Sequence, residues 1–358
     1  MRRREFIKVM AVTATAVGVG ACGTGAEAGT GLKNWAWVRG MRDKSEEEIL
    51  EFCKKLKSNG IHGILPEGHY EIFKRLAPIV KKSGLELHTW RWTMNRGDYM
   101  KDHPEIYAVS RNGESVVDKP PYVKYYRFLC PSSEKAQQFI IDDYVRIAKL
   151  DGVDAVHLDY VRYVDVILPI ALQPKYNLVQ DHEMPEFDFC YCERCRGKFK
   201  EKYGQDPLDM EDPSQSKEWH QFRLDTLSAF VRRIVDAVHA EGKKVSGAVF
   251  PSPSISRKIV RQDWPNFNLD VYMPMLYFKD YKGDLNWIKE RITENKRYLK
   301  PHQKMYAGLH VGHVREIGMK PVVETCLKHG ADGVTFFTGH SLKDEEWKEF
   351  AQATAAYS

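Results

Sequence analysis

The sequence predicts a single (β/α)8 barrel, an α/β fold with long loops after its third and fourth strands. Three observations predict it: eight short apolar, β-branched or aromatic runs, amphipathic segments between them, and glycines that close several of the helical stretches. Taken in order, the strands lie at 33–38 (KNWAWV), 61–66 (IHGILP), 85–92 (LELHTWRW) and 153–159 (VDAVHLD). The second half supplies 244–250 (KVSGAVF), 269–277 (LDVYMPMLY), 304–309 (KMYAGL) and 332–337 (DGVTFF). Apolar residues recur at helical spacing in 45–58, 70–83, 133–150, 221–241 and 287–299. Gly60, Gly84, Gly242 and Gly330 each end a helical pattern just before a strand, the position where a left-handed C-terminal residue is wanted.

Two connections exceed what a plain barrel needs, Thr93–Ser132 and Tyr160–His220. Long loops that follow strands sit on the catalytic face, so both are expected to wall a cleft rather than to form separate domains. The fourth strand runs into His157-Leu158-Asp159-Tyr160-Val161-Arg162-Tyr163. A carboxylate closing a buried strand is costly unless it has a task, and strand ends are where barrels gather catalytic groups. Alternation puts Asp159 on the same face as His157, and Arg162 follows closely enough to hold an ionised carboxylate.

Residues 1–21 read as an export signal. Arg3-Arg4-Glu5-Phe6-Ile7-Lys8 has the twin-arginine form, and the apolar stretch Val9–Ala21 is too short to span a bilayer. Val19-Gly20-Ala21-Cys22 resembles a bacterial lipobox, which implies a chain lipidated at Cys22, tethered by residues 22–31, and held at a periplasmic or cell-surface membrane with a barrel over 32–358. Loss of residues 1–21 removes Arg2, Arg3, Arg4 and Lys8 against Glu5, so the formal charge falls from +5 to +2. The basic excess belongs largely to the signal and argues against a nucleic-acid partner. The 337 residues left suffice for one barrel of about 250 with decorated loops.

Of seven cysteines, Cys53 and Cys326 fall in helical patterns as small buried residues, whereas Cys190, Cys192 and Cys195 crowd into one turn. Their spacing suits a structural zinc, with Cys130 or His182 as the fourth ligand. A disulfide with one thiol left over and plain packing are the other two readings. In each case the cluster braces the fourth loop and takes no part in catalysis.

Leu129-Cys130-Pro131-Ser132, the His157–Tyr163 segment, the cysteine-rich stretch 189–199, Gln262-Asp263-Trp264 and Met273-Pro274-Met275-Leu276-Tyr277 together resemble the bacterial glycoside-hydrolase-like barrels. These carbohydrate-active (β/α)8 proteins are related to the large retaining glycosidase barrels. The resemblance runs from about Asn34 to Phe337 and implies a carbohydrate substrate, no catalytic cofactor, and roles for Asp159 as the fourth-strand acid and Asp263 as the acid after the fifth strand. Glycoside cleavage needs one carboxyl to protonate the leaving oxygen and a second that is ionised. Asp159 is expected to be the ionised member; Asp263, beside Trp264, or Glu67, beyond the second strand, is the expected proton donor.

Sugar-facing groups are sought on the same rim. Trp90 and Trp92 share a face with His88, Tyr277 ends the sixth strand, and Phe336 or Phe337 ends the eighth. His310 and His313 follow the seventh strand; Arg91 either binds an acidic sugar or pairs with an acid, and Asp270, at the wrong end of its strand, is structural. Two rival classes are weighed. A metal-dependent barrel hydrolase calls for His-x-His on the first strand, where Asn34-Trp35-Ala36-Trp37 stands instead. A glycan-binding lipoprotein without turnover would keep Asp159 alone among aromatics, whereas an enzyme needs a second acid in the cleft.

Overall fold

The computed structural model describes residues 31–357. The predicted signal, the predicted lipidation site Cys22 and nearly all of the predicted tether lie outside those residues.

The strands are β1 Trp35–Val38, β2 Gly63–Pro66, β3 Glu86–Trp92, β4 Ala155–Asp159, β5 Lys244–Val249, β6 Val271–Pro274, β7 Lys304–Met305, β8 Ala307–His310 and β9 Val334–Phe337. All pair in parallel in the order β7-β6-β5-β4-β3-β2-β1-β9-β8. The two ends of that order are consecutive in the chain. Only Tyr306 separates β7 from β8; its amide bonds Tyr272 O (2.9 Å), the next amide, of Ala307, bonds Gly333 O (3.0 Å), and a Met275–Gly308 bridge spans the seam. β7 and β8 are therefore two halves of the seventh barrel strand, and the nine segments form the eight staves that the sequence predicts.

The helices are α1 Glu46–Ser58, α2 Tyr70–Ser83, α3 Glu134–Ala148, α4 Glu193–Tyr203, α5 Lys217–Ala240, α6 Pro253–Val260, α7 Leu285–Lys296, α8 Val311–Val314, α9 Met319–Lys328 and α10 Asp344–Thr354. Ser45 opens α1 with a reciprocal capping box to Glu48, and Ser133 and Asp284 cap α3 and α7 through side chains. α5 starts four residues before the predicted 221, because Ser216 accepts from the Trp219 amide and supplies a cap the hydrophobic pattern does not show. No helix among the described residues is long and apolar enough to cross a membrane.

Alternation sorts each strand between two cores. Outward residues such as Ile64, Leu87, Val156 and Leu309 pack under the helices. Inward ones, among them Trp35, Trp37, Leu65, Trp90, Met273 and Tyr306, fill the barrel. Two tryptophans on one strand leave room for little else. A Cβ on Gly63 would come within 2.2 Å of Trp35, and one on Gly308 within 3.0 Å of Trp37 and 2.8 Å of Pro274 O, so the adjacent stave β2 and the more distant β8 both carry glycine against these rings.

A polar layer crosses the barrel beneath its mouth. The Trp37 indole N–H, which can only donate, points at His157 Nε2 (3.0 Å), so the His157 hydrogen sits on Nδ1 and is donated to Ser246 Oγ (2.9 Å). Ser246 Oγ also meets His88 Nδ1 at 2.9 Å. Burial keeps both imidazoles neutral, with His88 pushed down to about 3 and His157 well below its ordinary value. The layer is a satisfied core network, and it sets Trp37 and β4 in fixed register under the cleft.

The loop after β3 (residues 93–132) folds on itself through bridges Asn95–Phe128, Tyr107–Leu129 and Val109–Ser115, and joins the next loop at Ser110–Phe189. The loop after β4 is held down by a buried ionic cluster. Asp188, with no side-chain exposure, pairs with Arg223 of α5, accepts the Tyr191 hydroxyl at 2.6 Å, and lies 3.5 Å from Arg261, which also pairs with Glu183. Such a cluster adds little net stability, but removing one partner strands a buried charge at a cost of about 3–5 kcal/mol.

Candidate active site

The carboxyl ends of the strands open into a cavity of about 300 Å3. Its floor is the top layer of inward residues, Trp37, Trp90, Ala248 and Phe337. The β3 loop contributes Tyr125 and Tyr126, and the β4 loop contributes Arg162, Asp165, Leu168 and Tyr176. Met275, Tyr277, Asp280 and Tyr281 close the side above β6. The volume is at the small end of the range for small-molecule sites.

Asp159 is the last residue of β4, in register with Trp92, and looks onto this cavity. Its Oδ2 accepts the Trp90 indole N–H at 2.8 Å and its Oδ1 the Tyr160 amide at 2.6 Å. Burial pushes its carboxyl above the ordinary aspartate value, while the two N–H donors, Arg162 and Arg39 pull it back. The expected contact with Arg162 is corrected. Tyr160 adopts φ 48°, which turns the chain, and Arg162 pairs with Asp165 at 2.9 Å instead. The Arg162 guanidinium lies over Tyr160, Phe128 and Phe250 at 5.0–5.3 Å, so it holds the β4 loop against the aromatic wall.

Asp263 is not in the cavity. α6 ends at Arg261 in the left-handed region, and the turn that follows buries Asp263 against Arg257 (2.7 Å) and Asn266 (2.6 Å). Trp264 packs against Tyr272 in the core under the helices rather than over a cleft acid. Glu67 follows β2 and pairs with Arg39 at 3.0 Å. It lines a neighbouring groove with Trp90, Trp92 and Tyr125; burial raises its carboxyl, Arg39 lowers it, and the nearby charge of Asp159 raises it.

A carboxyl that the sequence pattern does not single out also lines the cavity. Asp280 sits in the 3-10 turn Phe278–Tyr281 after β6 and lines the cavity with Asp159. Its side chain makes no hydrogen bond among the described residues, and His313 Nε2 is 3.7 Å away. Burial alone raises it to about 6. Tyr277 lies where both carboxylates act on it, and burial with their charges drives its phenol far up. The signal for Asp280 was present as an acid a few residues past the Met273–Tyr277 stretch, on a loop that follows a strand.

The remaining rim residues divide. Trp90, Tyr277, Arg162 and Phe337 line the cavity, and Trp92 packs at a tilt against Tyr160 (4.8 Å) beside it. Phe336 faces the other way, onto Trp347 and Phe350 of α10. Arg91 belongs to an ionic cluster with Asp143 (3.0 Å) and Asp98 (2.9 Å), the pairing alternative. His310 is outside the lining; it packs behind Tyr277 (5.5 Å) and Phe337 (5.7 Å) and stacks on His313 (4.3 Å). Asp270 accepts the Val245 amide at the far end of the barrel, a structural position.

No family model matches the chain, and no curated protein matches it in sequence. Solved structures match its fold. The PgaB (BpsB) glycoside hydrolase domain from Bordetella bronchiseptica superposes with a TM-score of 0.65 at 13% identity, over 91% of this chain and 98% of that one. A beta-galactosidase from the psychrophilic Marinomonas ef1 gives 0.60 at 12% identity, and alpha-L-fucosidase isoenzyme 2 from Paenibacillus thiaminolyticus gives 0.56 at 12%. Each covers 91% of this chain, which spans 59% and 49% of their lengths. The chain has the barrel fold of glycoside hydrolases.

Proposed function

We propose that this protein hydrolyses a glycosidic bond, with Asp159 as the ionised carboxylate and Asp280 as the proton donor. The observation that carries the reading is the contrast in hydrogen bonding between two acids of one cavity that burial raises alike: Asp159 accepts two N–H groups and feels Arg162 and Arg39, whereas Asp280 accepts none and is raised to about 6. Hydrogen bonds favour the charged form and burial the neutral one, so the pair divides into the base and acid that glycoside cleavage requires. Trp37, Trp90 and Phe337 offer flat apolar surface to a sugar's C–H face, and Tyr125 and Tyr126 offer hydroxyls nearby. The fold shared with glycoside hydrolases supports this reading. Three carboxylates, Asp159, Asp165 and Asp280, border the cavity, which favours an enzyme over a glycan-binding protein without turnover.

The reading is tested on a panel of aryl glycosides with the wild-type chain and Asp159→Asn. The variant is expected to lose turnover by about 10³-fold or more with little change in melting temperature. Equal losses of stability and activity, or full activity in Asp159→Asn, would contradict it. The proposal includes export through the twin-arginine form of residues 1–21 and a lipid at Cys22, on the motifs read from the sequence.

A further inference from the structure

We propose that Cys130, Cys190, Cys192 and Cys195 bind one structural zinc ion that fastens the loop after β3 to the loop after β4. The four sulfurs come from two separate loops and all lie within 4.8 Å of one another. Cys130 Sγ is 3.4 Å from both Cys192 Sγ and Cys195 Sγ, and none of the four is in a disulfide. Tetrahedral zinc with Zn–S bonds of about 2.3 Å spaces its sulfurs by about 3.8 Å, so the cluster needs only small adjustments to close on an ion. His182 is excluded as a ligand, since its ring pairs with Asp181 on the surface.

The surroundings suit a doubly negative Zn(Cys)4 group. The Val109 amide points at Cys190 Sγ at 3.4 Å, and Ser132 Oγ stands 3.2 Å from Cys195 Sγ. Cys192 is the N-cap of the eleven-residue α4, so the positive end of that helix faces the cluster. Cys130, Cys190 and Cys195 are buried, and four protein sulfurs leave no open position. That is the mark of a structural rather than a catalytic site.

The two loops are the walls of the cavity. Tyr125 and Tyr126 stand just before Cys130 in the chain, and Arg162–Tyr176 precede Cys190. An ion joining the far ends of these segments fixes one wall against the other. Its loss is expected to loosen residues 106–130 and 186–196 before the barrel strands.

The chain, purified without chelator from zinc-replete cells, is expected to contain about one zinc per chain by elemental analysis. Cys130→Ser and Cys192→Ser are expected to lose the metal, and Cys53→Ser and Cys326→Ser to keep it. To separate metal loss from misfolding of a ligand variant, the folded wild-type chain is also titrated with a mercurial thiol reagent. Release of one zinc as four thiols react, with faster amide exchange confined to the two loops and reversed by added zinc, supports the site. Native protein with no stoichiometric metal, a disulfide between Cys130 and Cys192 or Cys195 by mass, or stoichiometric iron would overturn it. None of these readouts depends on glycosidase activity.

Discussion

Asp280 carries a pH signature that activity need not reveal. Its carboxyl is raised from the ordinary 3.8 to about 6 in the folded chain, so folding favours the protonated form. The stability this confers is full below about pH 4 and is lost as pH rises through about 6. Asparagine keeps the neutral shape without the charge. Asp280→Asn is therefore expected to melt roughly 2 °C above wild type at pH 8 and level with it at pH 4, an effect of about 1 kcal/mol once solvent access is allowed for. An equal offset at both pH values would remove Asp280 from the acid role. The residue scale is also where the sequence was least legible. Asp263 and Asp280 both follow strands as polar residues beside aromatics. Only the left-handed turn at Arg261, which presents Asp263 to Arg257, separates the buried structural acid from the cleft acid.

At the scale of elements, the staves were legible because each buries both faces and reads as a short apolar run between helical patterns. The split of the seventh strand at Tyr306 was not, since it arises where one strand exchanges its β6 partner for β9. Loops 93–132 and 160–220 were legible as cavity walls from length alone. Their internal order depends on contacts far apart in sequence: Ser110 with Phe189, Asp188 with Arg223, Cys130 with Cys192. The CxCxxC spacing announced three sulfurs. The fourth, sixty residues upstream, was one of two candidates until the loops came together. Arg162 was legible as a cation close to Asp159 in the chain, but its partner was set by the turn at Tyr160.

For the whole molecule, a barrel that matches glycoside hydrolases at 12–13% identity shows how little sequence such a fold fixes: alternation, a few glycines under large interior side chains, and capped helices suffice. The proposed address of the molecule rests on the motifs in residues 1–22. Wild-type chain expressed with its signal is expected to partition with detergent and membranes, and Cys22→Ser to appear in the soluble exported fraction; wild type found soluble would contradict lipidation. The central claim is a division of labour between Asp159 and Asp280, and the dependence of kcat/KM on leaving-group acidity tests it most directly. Across a series of aryl glycosides of one sugar, wild type is expected to vary little, whereas Asp280→Asn falls steeply as the leaving group worsens and approaches wild type for the most activated members. Parallel dependences for wild type and Asp280→Asn, with the steep slope appearing in Glu67→Gln instead, would contradict the account and move the proton donor to Glu67.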